Sequence, residues 1–385
     1  MKHTLINTMA ILAIACLVSC SQNQTTETTA KSYKAVVADS LVFNYLAEVE
    51  ILDYNELTNE LLLSNQQTRE LLVIDDKGNE ISSFNPYIEG PNYTGTSFGW
   101  TFLGADRIVA YAFNNFHLLS KEGERIKRVP YPVEVNGRAM LDYNPKMILE
   151  VSSQNPAEIV VLIPGVSGFR HKTQAFHDSL QMVYNVNMET EVGQPVMHKT
   201  ADGTHRSLGA YVDNGYPSMA ALDDHKIAQM YHVDDHIYIW DASENKLLNK
   251  LEIPAPHKPV FDNIPFGEKG FPDRSKLNAN IYRTKNHIVL FSMDVIPESV
   301  FDNLTKTVER WYVSDEYEQL KRQYEKTNVL LFSEQAFLGE VDMSEVGQFT
   351  YHSKESTNED FFWVQRTYND ERDYRTFLKV TIVED

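Results

Sequence analysis

The chain has 385 residues with 54 acidic and 35 basic side chains, a formal net charge of −19 at pH 7. An acidic excess of this size repels phosphate backbones and anionic lipid surfaces, which excludes nucleic acid as a partner. Two cysteines allow at most one disulfide, while 19 Phe, 20 Tyr and 4 Trp supply a large core.

In chain order, the apolar run Ile11–Val18 is too short for a bilayer span and matches the hydrophobic region of a signal peptide. Leu17-Val18-Ser19-Cys20 resembles a bacterial lipobox, in which cleavage leaves Cys20 as the lipidated first residue. Residues 1–19 are therefore expected to be removed, taking Cys16 with them and leaving Cys20 no thiol partner. The polar stretch that follows reads as a flexible tether over residues 20–32. Membrane contact is expected through the lipid alone. Ser21 does not resemble an inner-membrane retention signal, and "SQNQTTETTA" lacks the acidic run that accompanies surface export. These features favour the outer membrane facing the periplasm, with the cell surface as the alternative.

Residues 33–385 read as one domain. Four segments share the plan of strand, polar turn and strand: "LLVIDDKGNEISSF" (71–84), "FHLLSKEGERIKRV" (116–129), "IYIWDASENKLLNKL" (237–251) and "VLLFSEQAFLGEV" (329–341). Turns rich in Asp, Gly, Asn and Glu between alternating runs read as β-hairpins, and their recurrence suggests a repeated supersecondary unit. The unit is most complete at 217–253, where "PSMAAL", "KIAQMYHV", "HIYIWD" and "KLLNKLEI" form the four strands of a propeller blade. The same template places blade one at 48–86 and blade two at 99–131. Blade three begins near Arg138, with "KMILEVSS" as its second strand and "LQMVYNV" as its third. Blade five uses "NANIYRT", "HIVLFSM" and "NVLLFS". Blade three carries about thirty extra residues between its second and third strands, and blade five more than thirty in the same slot. Blade six uses "QFTYHS", "DFFWVQRT" and "TFLKVTIVE" and lacks a fourth strand, which "YKAVVADSLVF" (33–43) can supply. The expected fold is all-β: a six-bladed β-propeller of four-stranded blades, closed by the N-terminal strand, with insertions in blades three and five. A β-sandwich is the competing reading, since short strands at regular spacing suit it as well.

Helix is scarce. The best candidate is "SDEYEQLKRQYEKT" (314–327), with Ser314 as its cap and Tyr317, Leu320 and Tyr324 as a stripe that packs it on the propeller. With a lipobox, a polar tether, degenerate four-strand units and "IEGPNYTG" (88–95) joining blades one and two, the chain resembles the six-bladed TolB-like propeller lipoproteins. It is most similar to the domain-of-unknown-function family 4221, typical of gut and marine Bacteroidetes. The resemblance implies a fold and a location, and carries no catalytic residue across.

In a propeller the loops between second and third strands share one end with the blade-to-blade connections. Both insertions therefore project from one face, where loops on a rigid scaffold commonly carry function. That face is expected to hold Asn92 and Tyr93, Asn114 and Asn115, Asn214 and Tyr216, His232, Asp234, Asp235 and His236, and Arg310, Trp311 and Tyr312. Aromatic rings beside amides and carboxylates suit a peptide or a sugar. His232 and His236 bracket a tight turn, and no third ligand is fixed nearby, although His171 and His177 lie in the blade-three insertion. A solvated Asp-Asp turn is the simpler reading, and no metal or cofactor is expected. Asp75-Asp76 and Asp223-Asp224 fall in turns on the other end. "GVSG" (165–168) lacks the spacing of a nucleophile elbow. No catalytic set is identified. The leading functional reading is a lipid-anchored cell-envelope binding or scaffold protein that holds an envelope protein or a glycan. The alternative is a hydrolase or lyase on an envelope polymer, drawing on His232, Asp234 and Asp235.

Overall fold

The computed structural model describes residues 31–113, 115–135, 147–151, 157–169, 173–201, 203, 206, 208–211, 216–222, 225–261, 264–266, 275–276, 278–347, 354–355, 360–368 and 370–385. The first strand is β1 (Lys31–Phe43), which begins two residues before Tyr33 and so takes Lys31 and Ser32 from the expected tether. An antiparallel sheet follows, β2 (Val49–Asn55), β3 (Glu60–Asn65), β4 (Leu71–Ile74) and β5 (Glu80–Phe84), and then a second, β6 (Ser97–Leu103), β7 (Arg107–Ala112), β8 (Asn115–Ser120) and β9 (Arg125–Pro130). The third consists of β10 (Ile148–Glu150), β11 (Glu158–Leu162), β12 (Val183–Asn187) and β13 (Gly193–Pro195), with helix α1 (Gln174–Ser179) between β11 and β12. After β14 (Ala210–Tyr211) comes the fourth sheet, β15 (Pro217–Ala221), β16 (Lys226–Tyr231), β17 (His236–Asp241) and β18 (Lys246–Glu252). The connection beyond it holds β19 (Val260–Phe261), β20 (Ile264–Pro265) and β21 (Ser275–Lys276), in which β14 pairs with β20 and β19 with β21.

The fifth run is β22 (Asn278–Arg283), β23 (Ile288–Met293), β24 (Thr327–Phe332) and β25 (Phe337–Asp342). Between β23 and β24 lie α2 (Glu298–Thr307), a 3-10 turn (Trp311–Val313) and α3 (Asp315–Tyr324). The last run is β26 (Lys354–Glu355), β27 (Phe362–Gln365) and β28 (Arg375–Glu384), and β1 joins it by antiparallel pairing with β28. Because β1 also pairs with β25, the fifth and last runs form one eight-stranded sheet.

Local chemistry explains the repetition. Asp75 Oδ1 accepts from the backbone N–H of Lys77 (2.9 Å) and Asn79 (2.8 Å), folding the β4–β5 turn around Gly78 at φ 80°. Asp241 Oδ1 does the same for Ser243 and Glu244 between β17 and β18. The middle strands are buried on both faces, as in β3, where Leu61, Leu62 and Leu63 are each at most 1% exposed. That burial follows from the packing, because the core is divided among seams between neighbouring sheets. Leu62, Leu71 and Val73 of the first sheet meet Trp100, Phe102 and Ile108 of the second, and Ile237 and Leu251 of the fourth meet Leu290 and Phe332 of the fifth. The first strands contact one another in the order β2, β6, β10, β15, β22, β26 and back to β2. Four-stranded sheets packed seam to seam in this way make a β-propeller.

One strand assignment is corrected. "KMILEVSS" supplies the first strand of the third sheet, not the second, which is "EIVVL" at Glu158–Leu162. An apolar run with no alternation gave that strand no period-2 signature, because it is buried on both sides. The insertion still falls between second and third strands, but it is confined to residues 163–182. The expected first strand near Arg138 and "QFTYHS" lie outside the described residues.

Candidate functional site

Consecutive strands within each run are antiparallel, so the β11–β12 and β23–β24 insertions leave from the same end as the β16–β17 turn and the sheet-to-sheet connections. The fifth-sheet insertion is the larger. Ser314 Oγ accepts from Tyr317 N at 3.1 Å and caps α3, as its sequence predicts. Trp311 is the hub. Its ring meets Phe301 of α2 edge-on at 5.0 Å and Tyr317 of α3 at 5.1 Å, so the two helices are joined through one indole. The Tyr317, Leu320 and Tyr324 stripe is half-buried, and α3 has no fully buried residue. Arg310, at φ 55°, turns the chain into the 3-10 turn, and beyond Trp311 the next two side chains point outward: Tyr312 is 57% exposed and Val313 64%. The result is an apolar knob held in place from behind.

The blade-four turn is organised differently. His232 Nε2 lies 3.1 Å from Ser218 Oγ, and desolvation pushes its imidazole down to about 4, so the ring is neutral near pH 7. Ser218 Oγ is also 3.3 Å from Asn280 Oδ1. Asp234 is 2% exposed and accepts from the Tyr238 hydroxyl at 2.9 Å. His236 Nδ1 is 2.6 Å from Asp235 Oδ1, and Lys258 Nζ reaches Asp235 at 3.4 Å and Glu252 at 2.6 Å. Burial raises the Asp235 carboxyl, but His236 and Lys258 outweigh it and hold the group below the usual carboxylate range. The two histidines thus have separate partners, and among the described residues no group of three or more His, Cys, Asp or Glu is arranged to hold a metal ion.

The remaining candidates are spread apart. Asn92 Oδ1 accepts from Arg125 N at 3.0 Å and the Arg125 guanidinium donates to Tyr93 O at 3.3 Å, so this pair braces the β8–β9 turn; the Tyr93 ring is 43% exposed. Tyr216 packs against the core of the second to fourth sheets. Asn115 opens β8. His177, in α1, is buried edge-on to Tyr211 at 5.4 Å. Ser167 of "GVSG" donates its N–H to Glu134 O at 2.8 Å and forms a turn. Cys20, Asn114, His171, Asn214, Asp223 and Asp224 lie outside the described residues.

Of three contributors that the sequence reading passes over, two, Ser218 and Lys199, have little signature in the sequence. Ser218 is one polar residue in an apolar strand. Lys199 Nζ donates to the last carbonyls of α1, Phe176 O at 3.3 Å and His177 O at 2.5 Å, and burial pushes its ammonium down to about 8. Phe301 could have been found, since Pro297 followed by Val300, Phe301 and Leu304 has helical spacing.

No family model and no curated protein matches the chain. Among solved structures, it is similar to a member of domain-of-unknown-function family 4221 from Bacteroides vulgatus, with a TM-score of 0.56 at 12% identity, covering 92% of this chain and 99% of that one. It is also similar to a Bacteroides fragilis protein described as exported, with a TM-score of 0.50 at 10% identity and the same coverage, 92% and 99%. At these identities the likeness is one of fold, and the fold is that of a family-4221-like propeller.

Proposed function

We propose that the chain is a lipid-anchored binding or scaffold protein of the cell envelope, fixed through Cys20 to the outer membrane, which holds a protein partner on the face that carries the two insertions. The reading includes a closed ring of six blades with β1 as the outermost strand of the last. Cyclic contact of the first strands supports this count. The outer turns also support it: Gly78 lies against Val42 O of β1, Lys121 O accepts from Ser82, Lys127 pairs with Glu191 at 2.8 Å, Asn245 accepts from Met197 N at 2.7 Å and Asn249 donates to Glu334 O at 2.8 Å.

The observation that carries the functional reading is the knob of Tyr312 and Val313, kept exposed by a buttress of Trp311, Phe301 and Tyr317 rather than folded onto the sheet. Aromatic and aliphatic side chains fixed outward on a rigid support are what a protein interface uses as anchors. The hydrolase or lyase alternative would draw on His232, whose Nε2 lies 3.1 Å from Ser218 Oγ, and on Asp234, which accepts from the Tyr238 hydroxyl. Export of the Bacteroides fragilis relative is consistent with an envelope location.

The test places a photo-crosslinking amino acid at Tyr312 or, as a control, at exposed Gln335 on the other end, in the full chain in cells. One envelope protein crosslinked from Tyr312 and not from Gln335 is expected. Equal adducts from both positions, or adducts to glycan alone, would overturn the protein-binding reading.

A further inference from the structure

The first residues of β1 do more than complete a sheet. Residues 31–34 pair in parallel with β25, Lys31 opposite Gly339 through Lys34 opposite Asp342, while from Tyr33 onward the strand pairs antiparallel with β28. One segment therefore spans the join between the fifth run and the last.

The seat is shaped for it. A Cβ on Gly339 would collide with the Lys31 carbonyl oxygen and would sit 3.0 Å from the Tyr33 ring, so only glycine lets the strand lie this close. Tyr33 and Ala35 are 7% and 0% exposed in a core shared by Tyr282, Phe291 and Val341 on one side and Phe362, Leu378 and Val380 on the other. Lys31 pairs with Glu384 at 2.8 Å and Lys34 with Asp385 at 3.2 Å, and Asp385 N donates to Ser32 O at 3.0 Å. Both ion pairs are exposed and contribute little, so the hold comes from backbone pairing and the buried Tyr33.

We propose that residues 31–34 are a strap that fastens β25 to β28, so that the segment leading to Cys20 pulls on the sheet that carries α2 and α3 and not on the last sheet alone. This rests on the closed-ring reading and adds to it a specific load path. A tug on the tether reaches β25, and β25 is bonded to β24, the strand into which α3 leads.

Hydrogen exchange by mass spectrometry on the full chain tests it. Gly339→Val is expected to speed exchange at 31–34 and 337–342 by about tenfold while leaving 35–43, 375–384 and 49–84 unchanged. Lys31→Glu with Lys34→Glu, which adds no steric clash, is expected to give a smaller rise of about two- to fivefold confined to 31–34. No change at 31–34 in either variant overturns the strap, as does a uniform rise in both. In the wild type, fast exchange at 31–34 beside slow exchange at 35–43 sinks the strap alone, whereas fast exchange throughout 31–43 sinks the closed ring.

Discussion

The two ends of the propeller use the same strands in opposite ways. At the end where first strands turn into second strands, short turns are bonded from sheet to sheet. Asn55 Nδ2 donates to Gly104 O (2.9 Å), Glu150 accepts from Gly104 N (2.8 Å), and Asp360 accepts from Thr284 Oγ1 (2.5 Å) and Asn286 Nδ2 (3.1 Å). At the insertion end the fifth-sheet helices are held chiefly by their own aromatic residues. Each turn bond ties two blades, whereas the Trp311 contacts tie the insertion to itself. Stability and binding can therefore change separately, which is how a rigid scaffold tolerates variable loops.

Substitutions at the seams and at the insertion should separate this contrast by magnitude. Trp363 is 1% exposed between Tyr54, Phe361 and Lys379 at the seam of the last and first sheets. Trp363→Ala should cost about 3–5 kcal/mol, read as a lower urea midpoint with unchanged slope. Asp360→Ala leaves Thr284 and Asn286 without their acceptor and should cost about 2 kcal/mol by the same measurement.

Glu150 gives the contrast a pH signature. Burial raises its carboxyl from 4.5 to about 7 against the Gly104 N–H, with Asp53 and Glu56 adding to the rise and Arg107 opposing it. The folded chain therefore keeps this proton longer than the unfolded chain. Stability should fall as pH rises from about 4.5 to about 7, by on the order of 2 kcal/mol, and then level off. Glu150→Gln, which can still accept from Gly104, should remove that slope in urea titrations across the range. Asp360 has the opposite sign. Burial raises it, but bonds to His287, Thr284 and Asn286 hold it well below the usual range, so its contribution is lost on acidification below about pH 4.

Smaller effects belong to the insertion. Trp311→Ala should loosen α2 and α3 while lowering global stability, read from the urea transition, by less than about 1 kcal/mol. Tyr312→Ser should leave stability within about 0.5 kcal/mol and act only on partner capture, measured by crosslinking yield.

The legible parts of the fold are those written in local chemistry. Asp75, Gly78 and Asn79 spell a hairpin turn, and the β15–β18 sheet follows "PSMAAL" to "KLLNKLEI" closely. The N-terminal strand was readable because the last unit lacked one. Strand β11 escapes the sequence reading, which gives its place to β10, because a doubly buried strand has no alternation to read. Residue types alone suggested a single site, but placement depends on partners far along the chain. Asn92 is occupied by Arg125, His232 by Ser218, and Trp311 proves to be a buttress for Tyr312. The parallel pairing of Lys31 with Gly339 joins segments that no local spacing connects.

Limited trypsin digestion of the full chain compares the two ends most directly, since cleavage follows local opening when reclosing is fast. First cuts at Arg310, Lys321 or Arg322 of the insertion are expected, with Lys77, Lys121 and Lys285 at the turn end intact and the nicked protein still folded. Cleavage at the turn end as early as in the insertion would contradict the division between a locked end and an independently held one.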